Sequence, residues 1–190
     1  MNDNHPRELL EAIREDSVYH QARVLLLVVT VTRTDGHSRK LDGLTKLAKL
    51  DFLVRYPALA LSVLDCLDPH DEQLHLTDCE DLALADVGDP MIRYKYGPWD
   101  DRYYPVIGAL VGRNLIKFVK GRRGSVAFSP TPLGKKIASF LSATPEWRTT
   151  SDRCEAVARA SSGLNGNKLR ELIYQRLPEL MDQPYRKEIR

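Results

Sequence analysis

Cysteine is scarce in this chain. Three residues, Cys66, Cys79 and Cys154, stand among 190. One of them is left unpaired under any disulfide scheme and no Cys-x-x-Cys pair occurs, which suits a reducing compartment. Long hydrophobic runs are missing too. The longest, Val24 to Val29 continuing through Thr30 to Val31, falls far short of the roughly 20 residues of a membrane-spanning helix. The opening Met1-Asn2-Asp3-Asn4-His5-Pro6 has no cationic-then-apolar layout of a signal peptide, so a cytoplasmic protein with no membrane partner is expected. No Gly-x-Ser-x-Gly elbow and no His-Glu-x-x-His pair is present. The segment Gly121-Arg122-Arg123-Gly124-Ser125 has neither the spacing nor the lysine of a phosphate-binding loop, which argues against an ATPase. The chain is expected to be non-enzymatic and to need no cofactor.

Charge of one sign is absent from two long stretches. Between Asp65 and Asp89 there are nine acids, Asp65, Asp68, Asp71, Glu72, Asp78, Glu80, Asp81, Asp86 and Asp89, and no Lys or Arg. Between Tyr103 and Pro145 there is no acid, while Arg113, Lys117, Lys120, Arg122, Arg123, Lys135 and Lys136 supply seven cations. The net charge of +2 therefore hides a molecule polarised along its sequence. A clustered basic element attracts polyanions or acidic protein surfaces, and an acidic stretch repels nucleic acid. Ordinary solvated faces are the plainer reading of both.

With 43% apolar residues the chain has material for a real core in one domain with a helical appendage. Residues 1–16 are polar with a weak amphipathic pattern at Leu9, Leu10 and Ile13, a short helix. Val18 to Arg33 is rich in Val and Thr, but sixteen residues without a break exceed a usual strand, so helix is expected. Leu44, Leu47, Leu50 and Val54 follow helical steps up to Pro57. Ala58 to Leu67 continues as a second apolar helix into the acidic segment, which Gly88-Asp89-Pro90 breaks. Met91 to Tyr96 is a short extended piece. Asp100 or Asp101 then caps a helix through Tyr104, Ile107 and Leu110, with Pro105 in its first turn. Leu115 to Val119 and Ser125 to Ser129 form a hairpin about Gly121 to Gly124. Thr131-Pro132-Leu133-Gly134 opens another helix.

Residues 143–152 read as a linker or loop, followed by helices over 153–160 and 167–181. The stripe Leu169, Leu172, Ile173, Arg176 and Leu177 on the last one docks on the core or on a partner.

That order describes a mainly α chain with a small β-hairpin: a winged helix-turn-helix with an insertion between its second and third helices, and C-terminal helices. The expected organisation is a polar segment at 1–16, a winged-helix domain at 17–142 with an acidic insertion at about 58–96, and a linker with helices at 143–190. In such domains the wing touches phosphates while the recognition helix reads bases. Here Asp100 and Asp101 stand at the end that would enter the groove, with only Arg102 and Arg113 against them, so base readout is not expected. The hairpin cations Lys117, Lys120, Arg122 and Arg123, with Lys135 and Lys136, are the candidate contacts to DNA or to an acidic partner, salt-sensitive and independent of sequence.

One further constellation, Cys66-x3-His70-x4-His75-x3-Cys79, collects four zinc-binding residue types within fourteen positions. The loop between its pairs is shorter than structural zinc sites use. The alternative is two small apolar fillers and two solvated histidines, and no metal is assigned.

Two stretches carry more than a generic fold. Residues 40–57, with Leu41, Asp42, Gly43, Leu44, Lys46, Leu47, Lys49, Leu50, Asp51 and Phe52, and residues 91–118, with Arg93, Tyr96, Gly97, Pro98, Trp99 and Asp100, resemble the small middle component of bacterial ABC-three-component antiphage systems. That group includes the accessory subunit of Lamassu systems. The resemblance runs from about Val18 to Leu141 and does not include the acidic insert. It implies a non-catalytic winged-helix subunit joining an SMC-like or Rad50-like ATPase to an effector such as a nuclease. It marks Asp42, Lys46, Lys49, Asp51, Arg93, Tyr96, Trp99 and Asp100 as family motif or partner interface. The competing expectation is a free-standing winged-helix transcription regulator, which the fold alone would suggest.

Overall fold

A computed structural model describes residues 17–68, 70–75 and 90–189. The helix expected over 1–16 and Cys79 lie outside the described residues. The chain is mainly helical with two small antiparallel sheets.

Helix α1, Ser17–Arg33, is the axis of the molecule. Val24, Leu25, Leu26, Leu27, Val28, Val29 and Val31 are all buried, and a helix apolar on every side is stable only when neighbours enclose it. Here the helices Leu44–Arg55, Tyr103–Gly112, Pro132–Ser142 and Pro145–Ala160 all pack on it. That enclosure overrides the local strand preference of its Val and Thr content. Helix α2, Leu44–Arg55, starts after Gly43 at φ +85° and ends at Tyr56, where Pro57 disfavours further α conformation. A seven-residue α3, Pro57–Val63, follows with its proline in the first turn.

Strand β1, Leu41–Asp42, has no counterpart in the sequence reading. It is two residues long, too short for any periodicity to show. It pairs with β5, Val126–Pro130, which also pairs with β4, Ile116–Lys120, giving the order β1-β5-β4. The register sets Leu41 against Phe128 and Phe118 against Phe128. The β4–β5 turn holds Arg123 at φ +54° and Gly124 at φ +79°.

A second hairpin, β2 Ile92–Tyr94 and β3 Gly97–Trp99, adds a partner strand to the extended piece expected after Met91. The end of the chain clamps it: Lys187 O accepts from Arg93 N at 2.8 Å and Ile189 N donates to Met91 O at 2.7 Å. Helix α4, Tyr103–Gly112, follows. Its cap position is Arg102, which corrects the expected cap at Asp100 or Asp101: Asp100 Oδ1 accepts the Arg102 N–H at 3.0 Å, ahead of the helix.

Helix α5, Pro132–Ser142, is capped as its sequence suggests, Thr131 Oγ1 accepting the Gly134 N–H at 3.0 Å. Gly134 lies against the backbone just ahead of β4, so that a Cβ there would meet Leu115 O at 1.9 Å. Gly134→Ala is expected to force α5 off β4 and cost about 3 kcal/mol, the upper range for overpacking, measured by urea unfolding. A variant of wild-type stability would show that the contact yields.

The loop expected at 143–152 is corrected to helix from Pro145 onward. Helix α6, Pro145–Ala160, runs unbroken because Ser151, Cys154, Ala156, Val157 and Ala158 bury one face on α1 and α2. Polar composition hid that face. The last expected helix is two, α7 Gly166–Arg176 and α8 Pro178–Met181, broken at Pro178. Leu169, Ile173, Leu177, Leu180 and Met181 join the core, so the C-terminal stripe docks on its own chain. Among the described residues no helix is long and apolar enough to cross a membrane.

Candidate functional site

Three places gather the chemistry-bearing side chains: a buried ring of charge, a basic groove, and an aromatic cleft.

The ring joins α1, α2 and the start of α4. Asp51, wholly buried on α2, receives Arg23 Nε at 2.8 Å and Arg23 Nη2 at 3.2 Å from α1, and the Tyr103 hydroxyl at 2.8 Å. One helical turn on, Arg55 Nη1 lies 3.8 Å from Asp51 and donates to Asp100 Oδ2 at 2.9 Å. Arg102 closes on Asp100 through Nε at 2.9 Å and Nη2 at 2.7 Å. The His20 ring lies between Arg102 Nη1, 2.8 Å from Nε2, and Arg23 Nη1, 3.0 Å from Nδ1.

Burial alone would raise the Asp51 carboxyl, but Arg23 and Arg55 together hold it below the usual range. Burial likewise opposes ionisation of Asp100, and the bonds from Arg102 with the nearby Arg55 outweigh it and hold that carboxyl low. Burial and the Asp51 charge push the Tyr103 hydroxyl up. Both carboxylates are thus ionised, surrounded and closed to substrate. The arrangement locks helices rather than performing chemistry.

This corrects two sequence expectations. Asp51 and Asp100 are interior groups and present nothing to a partner. Asp100 does not make the entry of α4 acidic, because Arg55 and Arg102 neutralise it inside the protein. Asp101 is exposed, and Arg186 pairs with it at 2.7 Å.

The basic groove lies on the three-stranded sheet. Lys117, Lys120, Arg122, Arg123, Lys135 and Lys136 are all exposed, and none pairs with a carboxylate among the described residues. Sequence reasoning missed Arg39 and Lys40. They precede β1, and the β1–β5 pairing carries them beside the hairpin. Arg39, Lys40, Lys117 and Lys120 line one shallow depression, and Arg39 and Lys135 share the next, below α1. Lys40 Nζ donates to Lys120 O at 2.8 Å, and Asp42 Oδ1 accepts from Arg122 N at 3.2 Å, bracing the turn. The solvent side of α4 shows Tyr104, Pro105, Gly108 and Gly112. It offers no side-chain amide, ammonium or guanidinium until Arg113 and Asn114 at its end.

The aromatic cleft, of about 190 Å³, opens between α2, the β2–β3 hairpin and α4. It brings together three of the motif residues, Lys49, Tyr96 and Trp99, and adds Tyr94 and Tyr104. Trp99 stacks on Tyr94 at 5.4 Å and tilts against Tyr104 at 5.9 Å. Gly97, at φ +116°, turns the hairpin so that its backbone passes the Lys49 stem. Lys49 is 3% exposed and donates to Thr45 O at 3.0 Å within its own helix. Burial, with Arg170 nearby, lowers its ammonium to about 8.

The remaining motif residues do structural work. Arg93 donates from Nε to Met181 O and from Nη1 to Tyr94 O, each at 2.9 Å, tying the hairpin to α8. Lys46, lowered by burial, faces His37 Nδ1 at 3.4 Å, and His37 Nε2 donates to Ala158 O at 2.7 Å. Of the Cys/His constellation, Cys66 and His70 are exposed, while His75 Nε2 binds Asp152 at 2.9 Å. Among the described residues no group of three metal-binding side chains forms. Cys154 is buried, which pushes its thiol up and leaves it unreactive.

No protein-family model, curated protein or solved structure matches this chain. Its function is argued from these surfaces.

Proposed function

We propose that the chain is a non-catalytic winged-helix subunit that bridges an SMC-like ATPase and an effector in an antiphage defence complex. In this reading it works in the cytoplasm and uses the β4–β5 hairpin as a wing that holds DNA without reading it. The order α1-β1-α2-α4-β4-β5, with β1 laid along β5, supports the winged-helix assignment. The ATPase and effector are inferred from the resemblance of residues 40–57 and 91–118 to middle components of ABC-three-component systems.

The observation that carries the reading is the contrast between two surfaces. Two depressions lined by Arg39, Lys40, Lys117, Lys120 and Lys135, with Arg122, Arg123 and Lys136 exposed beyond them, contrast with a helix face of Tyr104, Pro105, Gly108 and Gly112. Phosphates need the first, and bases need donors that the second does not present. The expected poverty of base-reading groups therefore rests on what α4 exposes, and no longer on Asp100. The bland composition of that face suits protein contact.

Lys120→Ala, Arg122→Ala and Arg123→Ala combined should weaken binding to a random duplex and reduce the slope of log K against log salt by about 2–3, close to one per lost phosphate contact. Fluorescence anisotropy across a salt series reads both. Unchanged binding at every salt concentration would remove the wing from the proposal. Random competitor should displace a labelled duplex as well as any single sequence does. An operator preferred by about 10³ or more would instead make the chain a transcription regulator.

A further inference from the structure

Among the described residues, the buried cation that lines the aromatic cleft has no counter-ion. Lys49 is 97% buried by its 3% exposure, and among the described residues no carboxylate lies within ion-pair distance of it. One of its three N–H donors goes to Thr45 O. A second cation, Arg170, lies close enough to disfavour its charge. The protein elsewhere neutralises each buried charge with care, as Arg23, Arg55, Asp51 and Asp100 show. A solitary ammonium at the floor of an open cleft is stable only at a cost that an incoming anion would remove.

The walls narrow the choice of anion. Tyr94, Tyr96, Trp99 and Tyr104 present ring faces and edges, and Tyr104 is 69% exposed at the rim. A phosphate would call for several donors, from a backbone nest or an arginine fork. This cleft supplies a single point charge in an apolar setting. Its volume of about 190 Å³ is below the usual range for a nucleotide or drug-sized ligand. A planar monoanion on one apolar side group fits both the charge and the room.

We propose that the cleft receives the C-terminal carboxylate of a partner protein whose last residue is apolar, with Lys49 Nζ donating to the carboxylate and the rings of Tyr94, Trp99 and Tyr104 packing on the apolar side chain. This rests on the reading of the chain as a subunit that docks on proteins, but uses a surface separate from the wing.

The test titrates the full chain with 3-phenylpropionate and with the neutral 3-phenylpropionamide, following the amide of Gly97 and the indole N–H of Trp99 by NMR. Saturable shifts with the acid and at least about tenfold weaker binding of the amide are expected, one charge-assisted hydrogen bond being worth that much. Lys49→Met keeps the apolar stem, should retain or raise the melting temperature by removing an unpaired buried charge, and should weaken the acid about tenfold. Two pentapeptides then separate the sources, one ending in a free leucine carboxylate and one amidated with an internal glutamate. Saturation by the first and weaker binding of the second are expected, and saturation by the glutamate peptide alone would overturn the proposal. Acid and amide binding equally, a folded Lys49→Met variant binding unchanged, or no saturation by acid or peptide would overturn it. The wing variants leave this readout untouched, so failure here and failure of DNA binding are told apart.

Discussion

Asp51→Ala is expected to lower stability by about 3–5 kcal/mol, the range for stripping one partner from a buried ion pair. The loss comes from what stays behind. Arg23 and Arg55 would lie inside the protein facing a cavity, and the Tyr103 hydroxyl would lose its acceptor. A double variant, Arg23→Met with Asp51→Leu, should recover much of the loss, since an apolar pair of similar volume carries no stranded charge. Urea unfolding of the three proteins gives the comparison. A single variant within about 1 kcal/mol of wild type would mean that water reaches the ring.

The same ring sets an acid limit. Both carboxyls are held below their ordinary values, so the unfolded chain binds more protons than the folded one as pH falls. Their contribution is complete above the unfolded carboxylate range of about pH 4 and is lost as pH falls through the lowered folded-state values. The unfolding free energy should therefore drop steeply below about pH 4. In Asp51→Ala that drop should be smaller.

Phe52→Ala comes next in size, with an expected loss of about 3–5 kcal/mol, as for other large aromatic truncations in cores. Phe52 is fully buried and its ring lies 5.1 Å from that of Tyr56. Tyr56 in turn donates to Ile189 O and accepts from Met91 N, each at 3.0 Å, so the cavity would loosen the clamp on the β2–β3 hairpin. Thermal unfolding measures the loss. Native stability together with loss of a protein partner would make α2 an interface instead of a core helix.

Several elements were legible because local signals stood alone. The Leu44, Leu47, Leu50 period marked α2, Thr131 and Pro132 marked the start of α5, and the Gly121–Gly124 turn between two apolar-rich runs marked the hairpin. Other features left no local trace. Helix α6 buries Ser151, Cys154 and alanines, so its inward face resembles a loop by composition. Strand β1 exists through its pairing with β5 and has only two residues.

The candidate residues divided the same way. Exposure of the hairpin cations follows from a charged turn, where no fold would bury four cations without acids. Asp51 and Asp100 looked like surface acids because a sequence shows the charge of a residue and not its neighbours. Arg23, Arg55 and Arg102 become their partners only when α1, α2 and α4 cross. Lys49 stands out in sequence only as a family-motif or partner-interface residue, with nothing local to show that it is buried. Its isolation appears when Trp99 and Tyr96, nearly fifty positions on, fold over it.

Composition and spacing were enough to settle that the chain is mainly helical, that a basic hairpin stands out from it, and that acid and base are kept apart along its length. These are properties of nearest neighbours and of counts. Which charges are sunk into the core, which lysine is left alone, and where Arg39 and Lys40 join the groove depend on helix crossing and strand pairing. Burial, which fixes the worth of every charge in this protein, is a property of contacts between distant residues.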